Sequence, residues 1–428
     1  MKPELLAPAG TLDILKIAFM YGADAVYCGT PAFAMRARVG FNIETLKEGI
    51  LYAHSLNKKV YLTLNAFPHS FEIEKLEEHI GKLAELKPDA FIVADPGIVE
   101  FIIKNFDIPV HLSTQASTTN QLTAEFWKKQ GVERIVLARE LSLKEIKKIH
   151  ETVDVKLETF IHGAMCMAYS GRCQISNYMT GRDPNRGQCV QACRFKYKMY
   201  ALEEDLRKGE LFPLYEDEEG THILNSKDLC MIQYIPELID AGIASLKIEG
   251  RLKSEYYVAT VVRAYRKAID LYYSTLSDVI PDCKREIRDP VTAKAPQPIF
   301  SKEYLKEVAI LKLEVEKSAN RGLTTGFYFD KPNQETNNYI SSRAESQAGY
   351  IGRVLGYDND KKMLKFEVKN HLLINSKLEI FSPNKTISYT LAEMFKDGQS
   401  IEVAHANNIV EIPFEEEMLT DSLIRILL

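Results

Sequence analysis

The chain has 428 residues, 46% of them hydrophobic and 26% charged, and a net charge of −5 at neutral pH. That length exceeds one ordinary domain and can bury a core without staples. The mild acidity excludes a protein that binds nucleic acid through its whole surface, so any RNA contact needs a local basic patch.

The opening Met1-Lys2-Pro3-Glu4 carries neither the apolar stretch nor the cleavage site of a secretory signal. No apolar run reaches the ~18 residues that would suggest a membrane span. The expectation is a cytoplasmic protein that makes no membrane contact.

Short β-branched or apolar runs recur from the start of the chain. They are Glu4–Ala7, Ala25–Cys28, Val60–Leu64, Ala90–Val93, Val110–Ser113, Arg134–Ala138, Lys156–Ile161 and Ser245–Ile248. Amphipathic stretches such as Ile43–Leu56, Glu72–Leu86 and Leu143–Glu151 lie between them. Strands alternating with helices read as parallel βαβ units, and eight such units predict a TIM-like (β/α)8 barrel. An open doubly wound sheet is the alternative.

Polar residues stand at the predicted strand ends, among them Asn65, Gln115, Arg139-Glu140, His162 and Glu249-Gly250-Arg251. In a barrel these ends converge on one mouth. The reading assigns residues 1–275 to the barrel, with a cysteine-rich loop inserted at 158–230. A linker and crossing segment is expected over 276–340. From 341 to 428, short strands such as Tyr350–Leu355 and Met363–Val368, separated by Asp358-Asn359-Asp360 and Ser382-Pro383-Asn384, predict a small all-β barrel domain.

Five of the seven cysteines fall between Cys166 and Cys230. Their odd total and the missing signal argue against a disulfide framework. The first four are spaced C-x6-C-x15-C-x3-C, followed by Cys230. Thiolates are soft ligands for zinc or an iron–sulfur cluster. Structural zinc sites favour close cysteine pairs, whereas this wide spacing suits the corners of a cluster.

The residues here carry a resemblance. Gly163-Ala164-Met165-Cys166 and Ser170-Gly171-Arg172-Cys173-Gln174-Ile175-Ser176 resemble the signature of the peptidase U32 family, often called collagenase-like. So do Glu4-Leu5-Leu6-Ala7-Pro8-Ala9-Gly10, the block Gly181–Cys189, and Lys247-Ile248-Glu249-Gly250-Arg251. The resemblance implies more than peptide cleavage. Members of this family take part in 5-hydroxylation of the tRNA wobble uridine, in hydroxylation of an rRNA cytidine, and in oxygen-independent quinone synthesis.

They hold a [4Fe–4S] cluster through four cysteines, and the RNA branches draw on prephenate-related metabolism. By this resemblance Cys166, Cys173 and Cys189 are cluster ligands. Cys230 is preferred as the fourth, with Cys193 as the alternative. Zinc is a possible occupant in aerobically prepared protein.

Between Arg172 and Lys198 there are six basic residues and one acidic residue, with Tyr178, Phe195 and Tyr197 interleaved. Cations meet phosphate and aromatic faces stack bases, so Arg172, Arg182, Arg186, Arg194 and Lys196 are candidate RNA contacts. Glu158, His162 and Glu249 are candidate acid–base groups. Arg251 is a candidate clamp for a small carboxylic acid such as prephenate.

A peptidase of unassigned catalytic type is the alternative function. His150-Glu151 does not continue into a zinc-protease motif, and there is no Gly-x-Ser-x-Gly elbow. Another cluster-dependent hydroxylase, of the quinone type, is a further alternative. The expected partner is tRNA or rRNA, and a protein partner or homo-oligomer is left open.

Overall fold

In the computed structural model the described residues are 2–33, 40–166, 168–186, 188–194, 216–217, 220–221, 226–279, 302–330, 336 and 344–428. Strands β1 (Glu4–Pro8), β2 (Ala25–Cys28), β3 (Lys59–Leu64), β4 (Ala90–Val93), β5 (Val110–Leu112), β6 (Arg134–Val136) and β7 (Lys156–Gly163) pair in parallel, each with the next. The short β8 (Asp228–Cys230) runs antiparallel to the end of β7. Strand β9 (Ser245–Ile248) pairs in parallel with both β1 and β7. The β7–β9 pairing closes the ring and excludes the open-sheet alternative. The first part of the chain is therefore an eight-stranded parallel β/α barrel.

The helices begin where the sequence supplies caps. Thr11, Asn42, Asn120 and Ser142 each accept a backbone N–H at the start of α1 (Leu12–Met20), α2 (Ile43–Ser55), α5 (Gln121–Lys129) and α6 (Leu143–Thr152). Glu145 completes a capping box with Ser142. Between them lie α3 (Ile73–Ala84) and α4 (Pro96–Asn105), the latter capped by Asp95 with proline in its first turn. Such caps typically contribute about 1 kcal/mol each. The helices α7 (Ile175–Thr180), α8 (Ile235–Asp240) and α9 (Glu255–Val279) follow. Among the described residues no helix is long and apolar enough to cross a membrane.

The segment read as a linker contains α10 (Lys302–Glu316), packed along α9. Its buried residues Tyr304, Val308, Leu311 and Val315 recur at helical spacing. The expected Pro-rich stretch at 281–300 lies outside the described residues.

The C-terminal part is an antiparallel β domain. Strands β10 (Ala348–Asp358), β11 (Met363–Val368), β12 (Lys377–Phe381), β13 (Thr386–Thr390), β14 (Ile409–Pro413) and β15 (Leu423–Leu427) form most of its larger sheet. It is fixed to the barrel by more than apolar contact. The Tyr21 hydroxyl donates to Phe381 O at 2.9 Å, and Arg263 on α9 donates to Thr386 Oγ1 at 2.8 Å. Arg425 is 0% exposed and bridges Glu314 of α10 and Glu379 of β12. Phe381 and Leu423 belong to the barrel's own core.

Inside the barrel, Leu6, Ala25, Tyr27, Tyr61, Ala90 and Ile92 form an apolar cluster. Charged side chains pack against its two tyrosines. Glu158 Oε1 lies 2.7 Å from Lys247 Nζ and its Oε2 lies 3.0 Å from Arg134 Nη1. Arg134 Nη1 also lies 2.6 Å from Glu4 Oε1, and the Tyr61 hydroxyl donates to Glu4 Oε2 at 2.6 Å. The Lys247 ammonium sits 4.5 Å from the centre of the Tyr27 ring. Two anions meet two cations, so the layer is neutral while buried.

Burial alone would raise the Glu158 pKa, but Lys247 and then Arg134 overcome it and hold the carboxyl at about 2. Because the folded value is depressed below the ordinary 4.5, this contribution to stability is present above that value. It is lost as pH falls toward 2. Glu158→Leu leaves Lys247 buried without its carboxylate and Arg134 with Glu4 alone, and should cost about 3–5 kcal/mol in chemical denaturation. The variant's stability should also respond less than wild type's to acid between pH 4 and 2. A variant with unchanged stability would contradict the ionic layer.

Candidate functional site

Above the ionic layer, the strand ends enclose a cavity of about 160 Å³. Tyr27, Ile92, Val136, Phe160 and Lys247 contribute from the strands themselves. Asn65, Ser113, Gln115, Arg139, Glu140, Glu249 and Arg251 contribute from the strand ends. This is the C-terminal face, where barrels place their chemistry.

The loop after β7 crosses this mouth and carries Cys166, Cys173, Cys189 and Cys193, all of which line the cavity. Its first anchor is Ser170. Ser170 N donates to Glu140 Oε1 at 2.8 Å, Ser170 Oγ accepts from Arg139 N at 3.3 Å, and Ser117 Oγ donates to Ser170 O. Gly171 follows at φ +72°, where an added Cβ would stand 2.2 Å from Gln115 O. Only glycine allows the loop backbone so close to the end of β5.

The far side is tied by Asn185. Its side chain donates to Cys173 O at 2.9 Å, and Phe67 N donates to Asn185 O at 3.2 Å. Arg186 Nη2 lies 2.7 Å from Glu72 Oε1. The Glu72 carboxyl is held below its usual value by the His69 N–H, with help from Arg186.

Cys173 stands before α7. Burial pushes its thiol pKa up, and Cys166 and Cys189 act in the same direction. The N–H groups of Ile175 and Ser176 oppose them. The Cys166 thiol lies 3.9 Å from Arg139 Nη1. Among the described residues, no three His, Cys, Asp or Glu side chains close around a single ion position.

The expected site residues divide sharply. Arg251 is buried, lines the cavity, and donates through Nη1 to Thr63 Oγ1 at 2.7 Å. Glu249 also lines it. Glu158 does not belong to the cavity wall; it is locked in the ionic layer beneath.

His162 is turned away from the mouth, against α9. Its Nδ1 lies 3.3 Å from the Tyr265 hydroxyl, and its ring packs beside Tyr257 and Tyr265. Burial, with Lys253 nearby, lowers its pKa to about 3. The reason is a register shift between β7 and β9, which pairs Lys247 with Phe160 but Ile248 with His162. That bulge breaks the alternation that would have carried His162 into the barrel with Glu158 and Phe160.

Cys230 shares this outer position. It pairs with His162 across β8 and β7, is buried, and lies 3.8 Å from the Tyr265 hydroxyl. Cys193, the alternative fourth ligand, is the cysteine that lines the cavity with the other three. Cys28 is buried on β2, with its pKa pushed up to about 12 by burial.

Of the expected RNA contacts, Arg172 and Arg182 are exposed. Arg186 is engaged with Glu72. The Arg194 side chain and Lys196 lie outside the described residues, as do the Tyr178 side chain, Phe195, Tyr197 and Cys283. Arg139 and Glu140, expected at the mouth from their place after a predicted strand but given no chemical role there, both line the cavity.

Comparison with known proteins agrees with this organisation. Residues 10–338 match Peptidase family U32, and residues 346–425 match the Peptidase family U32 C-terminal domain. The chain is 38% identical over 429 residues to the tRNA hydroxylation protein P1 of Bacillus subtilis, covering 99% of this chain and 94% of that protein. It is 40% identical over 276 residues to the 23S rRNA 5-hydroxycytidine C2501 synthase of Escherichia coli, covering 64% of this chain and 40% of that protein. An uncharacterized protease of Methanocaldococcus jannaschii is 38% identical over 389 residues, covering 88% of this chain and 86% of that protein.

The Gly171 contact predicts how the loop responds to change. Gly171→Val should lift the loop from Gln115, and alkylation of Cys173 should accelerate several-fold. The barrel's cooperative unfolding should shift much less, because the loop adds little to the core. Unchanged labelling would mean that the close approach does not hold the loop.

Proposed function

Matching both domain families along nearly its whole length, the chain belongs to peptidase family U32, and we propose that it is an RNA-hydroxylating enzyme acting on a wobble uridine of tRNA. One observation carries the reading: four thiols, those of Cys166, Cys173, Cys189 and Cys193, share the wall of a single cavity at a barrel mouth. They are soft donors spread around a cavity rather than drawn to one point, a set suited to a [4Fe–4S] cluster. Its location favours Cys193 over Cys230 as the fourth ligand. When bound, such a cluster supplies electron transfer, which hydroxylation requires and peptide hydrolysis does not.

The chain's own groups have separable tasks. Arg251, pinned to Thr63, presents a fixed guanidinium to a small carboxylic acid, prephenate or a related compound. Glu249 on the same wall is placed to accept or return a proton near that acid. The exposed Arg172 and Arg182 face RNA phosphate. Tyr169 lines the cavity while 48% exposed and offers a stacking face at its rim. The names of the relatives from B. subtilis and E. coli support an RNA substrate.

The peptidase reading has less to stand on. A cysteine peptidase needs a histidine beside its thiol. His162, the sequence's candidate near Cys166, is buried on the outer face against Tyr265.

Total RNA from a strain lacking this protein should lose 5-hydroxyuridine and its derivatives by mass spectrometry. Wild-type protein should restore them, and Cys173→Ala should not. An unchanged nucleoside profile, together with peptide cleavage by the purified Cys173→Ala variant, would replace this reading with the peptidase one.

A further inference from the structure

Among the described residues, two buried polar atoms on residues of the cavity wall have no hydrogen-bond partner. They are Arg139 Nε and Glu140 Oε2, both buried. They belong to consecutive residues at the end of β6, and both residues line the cavity. Each side chain is pinned at one end only. Arg139 Nη1 donates to Ala164 O at 3.1 Å, and the guanidinium carbon lies 4.1 Å from the centre of the Phe160 ring. Glu140 uses Oε1 to accept from Ser170 N at 2.8 Å.

A buried donor and a buried acceptor left open on consecutive residues carry a desolvation cost that a ligand can relieve. Resting on the RNA reading above, we propose that Arg139 and Glu140 read the base-pairing edge of the target uracil, with Glu140 Oε2 accepting from N3–H and Arg139 Nε donating to a neighbouring carbonyl oxygen.

The chemistry of the pair selects this class of ligand. An ionised carboxylate only accepts hydrogen bonds, and a guanidinium only donates them. The complementary ligand is a neutral group presenting a donor next to an acceptor. Uracil does so, with N3–H between two carbonyls. A second carboxylic acid does not suit this corner, because its charge would face Glu140 Oε2. The small acid therefore belongs on the Arg251 side.

The orientation is fixed in advance. Phe160 holds the Arg139 plane, and the same Ser170 that anchors the cysteine loop orients Glu140. Base reading and the position of the thiols thus share one support.

The test uses the full-length protein, prepared anaerobically, and two RNA probes. One is an adenosine oligomer carrying a single uridine; the other carries 3-methyluridine, which lacks the N3–H donor. Fluorescence anisotropy should give wild type a preference for uridine on the order of tenfold, the scale of a lost specific base contact. Glu140→Leu should bind both probes alike, at an affinity close to that of wild type for the methylated probe, since phosphate contacts remain. Glu140→Gln, which keeps an acceptor, should retain a preference. If Glu140→Leu fails to fold, the wild-type comparison and Glu140→Gln decide the matter. Equal binding of both probes by wild type would overturn the base-reading role and leave RNA binding intact. No measurable binding of either probe would contradict the RNA reading itself.

Discussion

A small set of hydrogen bonds around Ser170 holds the cysteine loop to the barrel. Its N–H, carbonyl and hydroxyl are all used, by Glu140, Ser117 and Arg139. The next residue is a glycine at positive φ, in contact with the backbone of Gln115. Without that seam the loop would be a long surface excursion. With it, four cysteines line the cavity at the strand ends, and Arg139 and Glu140 are held by the loop they support. Precise chemistry on a loop requires such second contacts, because rigid elements transmit position and free loops do not.

The barrel beneath supplies a firm floor at an electrostatic cost met internally. Glu4, Arg134, Glu158 and Lys247 neutralise one another below the cavity. Lys247 also reaches the cavity wall, as do Arg139 and Arg251. Three cationic side chains thus border the same space as four thiols. The C-terminal β domain is joined to the barrel through Tyr21, Arg263 and Arg425. These contacts bind it to α1, α9 and α10.

Much of this was legible in the sequence because local rules dominate it. Each barrel strand is a short apolar run, and capping residues mark several helix starts. Three of the cavity cysteines, together with Glu249 and Arg251, were recognised from motif and position. What escaped depended on tertiary detail. His162 follows Glu158 and Phe160 at alternating spacing, and only the bulge opposite Ile248 sends it outward. Cys230 was preferred to Cys193 as a fourth ligand on sequence, but the antiparallel pairing of β8 with β7 sets it beside His162, buried away from the other cysteines' cavity. Glu158 read as an acid–base group because its pairing with Lys247 spans 89 positions of sequence. Arg186 read as an RNA contact, and its engagement with Glu72 spans 114 positions.

The central claim is that the four thiols facing the cavity hold one iron–sulfur cluster. Iron and acid-labile sulfide should therefore be measured in anaerobically purified wild type, Cys193→Ala and Cys230→Ala. The account predicts about four irons and four sulfides per chain in wild type, the same in Cys230→Ala, and a loss of most of both in Cys193→Ala. Stoichiometric zinc without sulfide in wild type would contradict it, as would a cluster that survives Cys193→Ala but not Cys230→Ala.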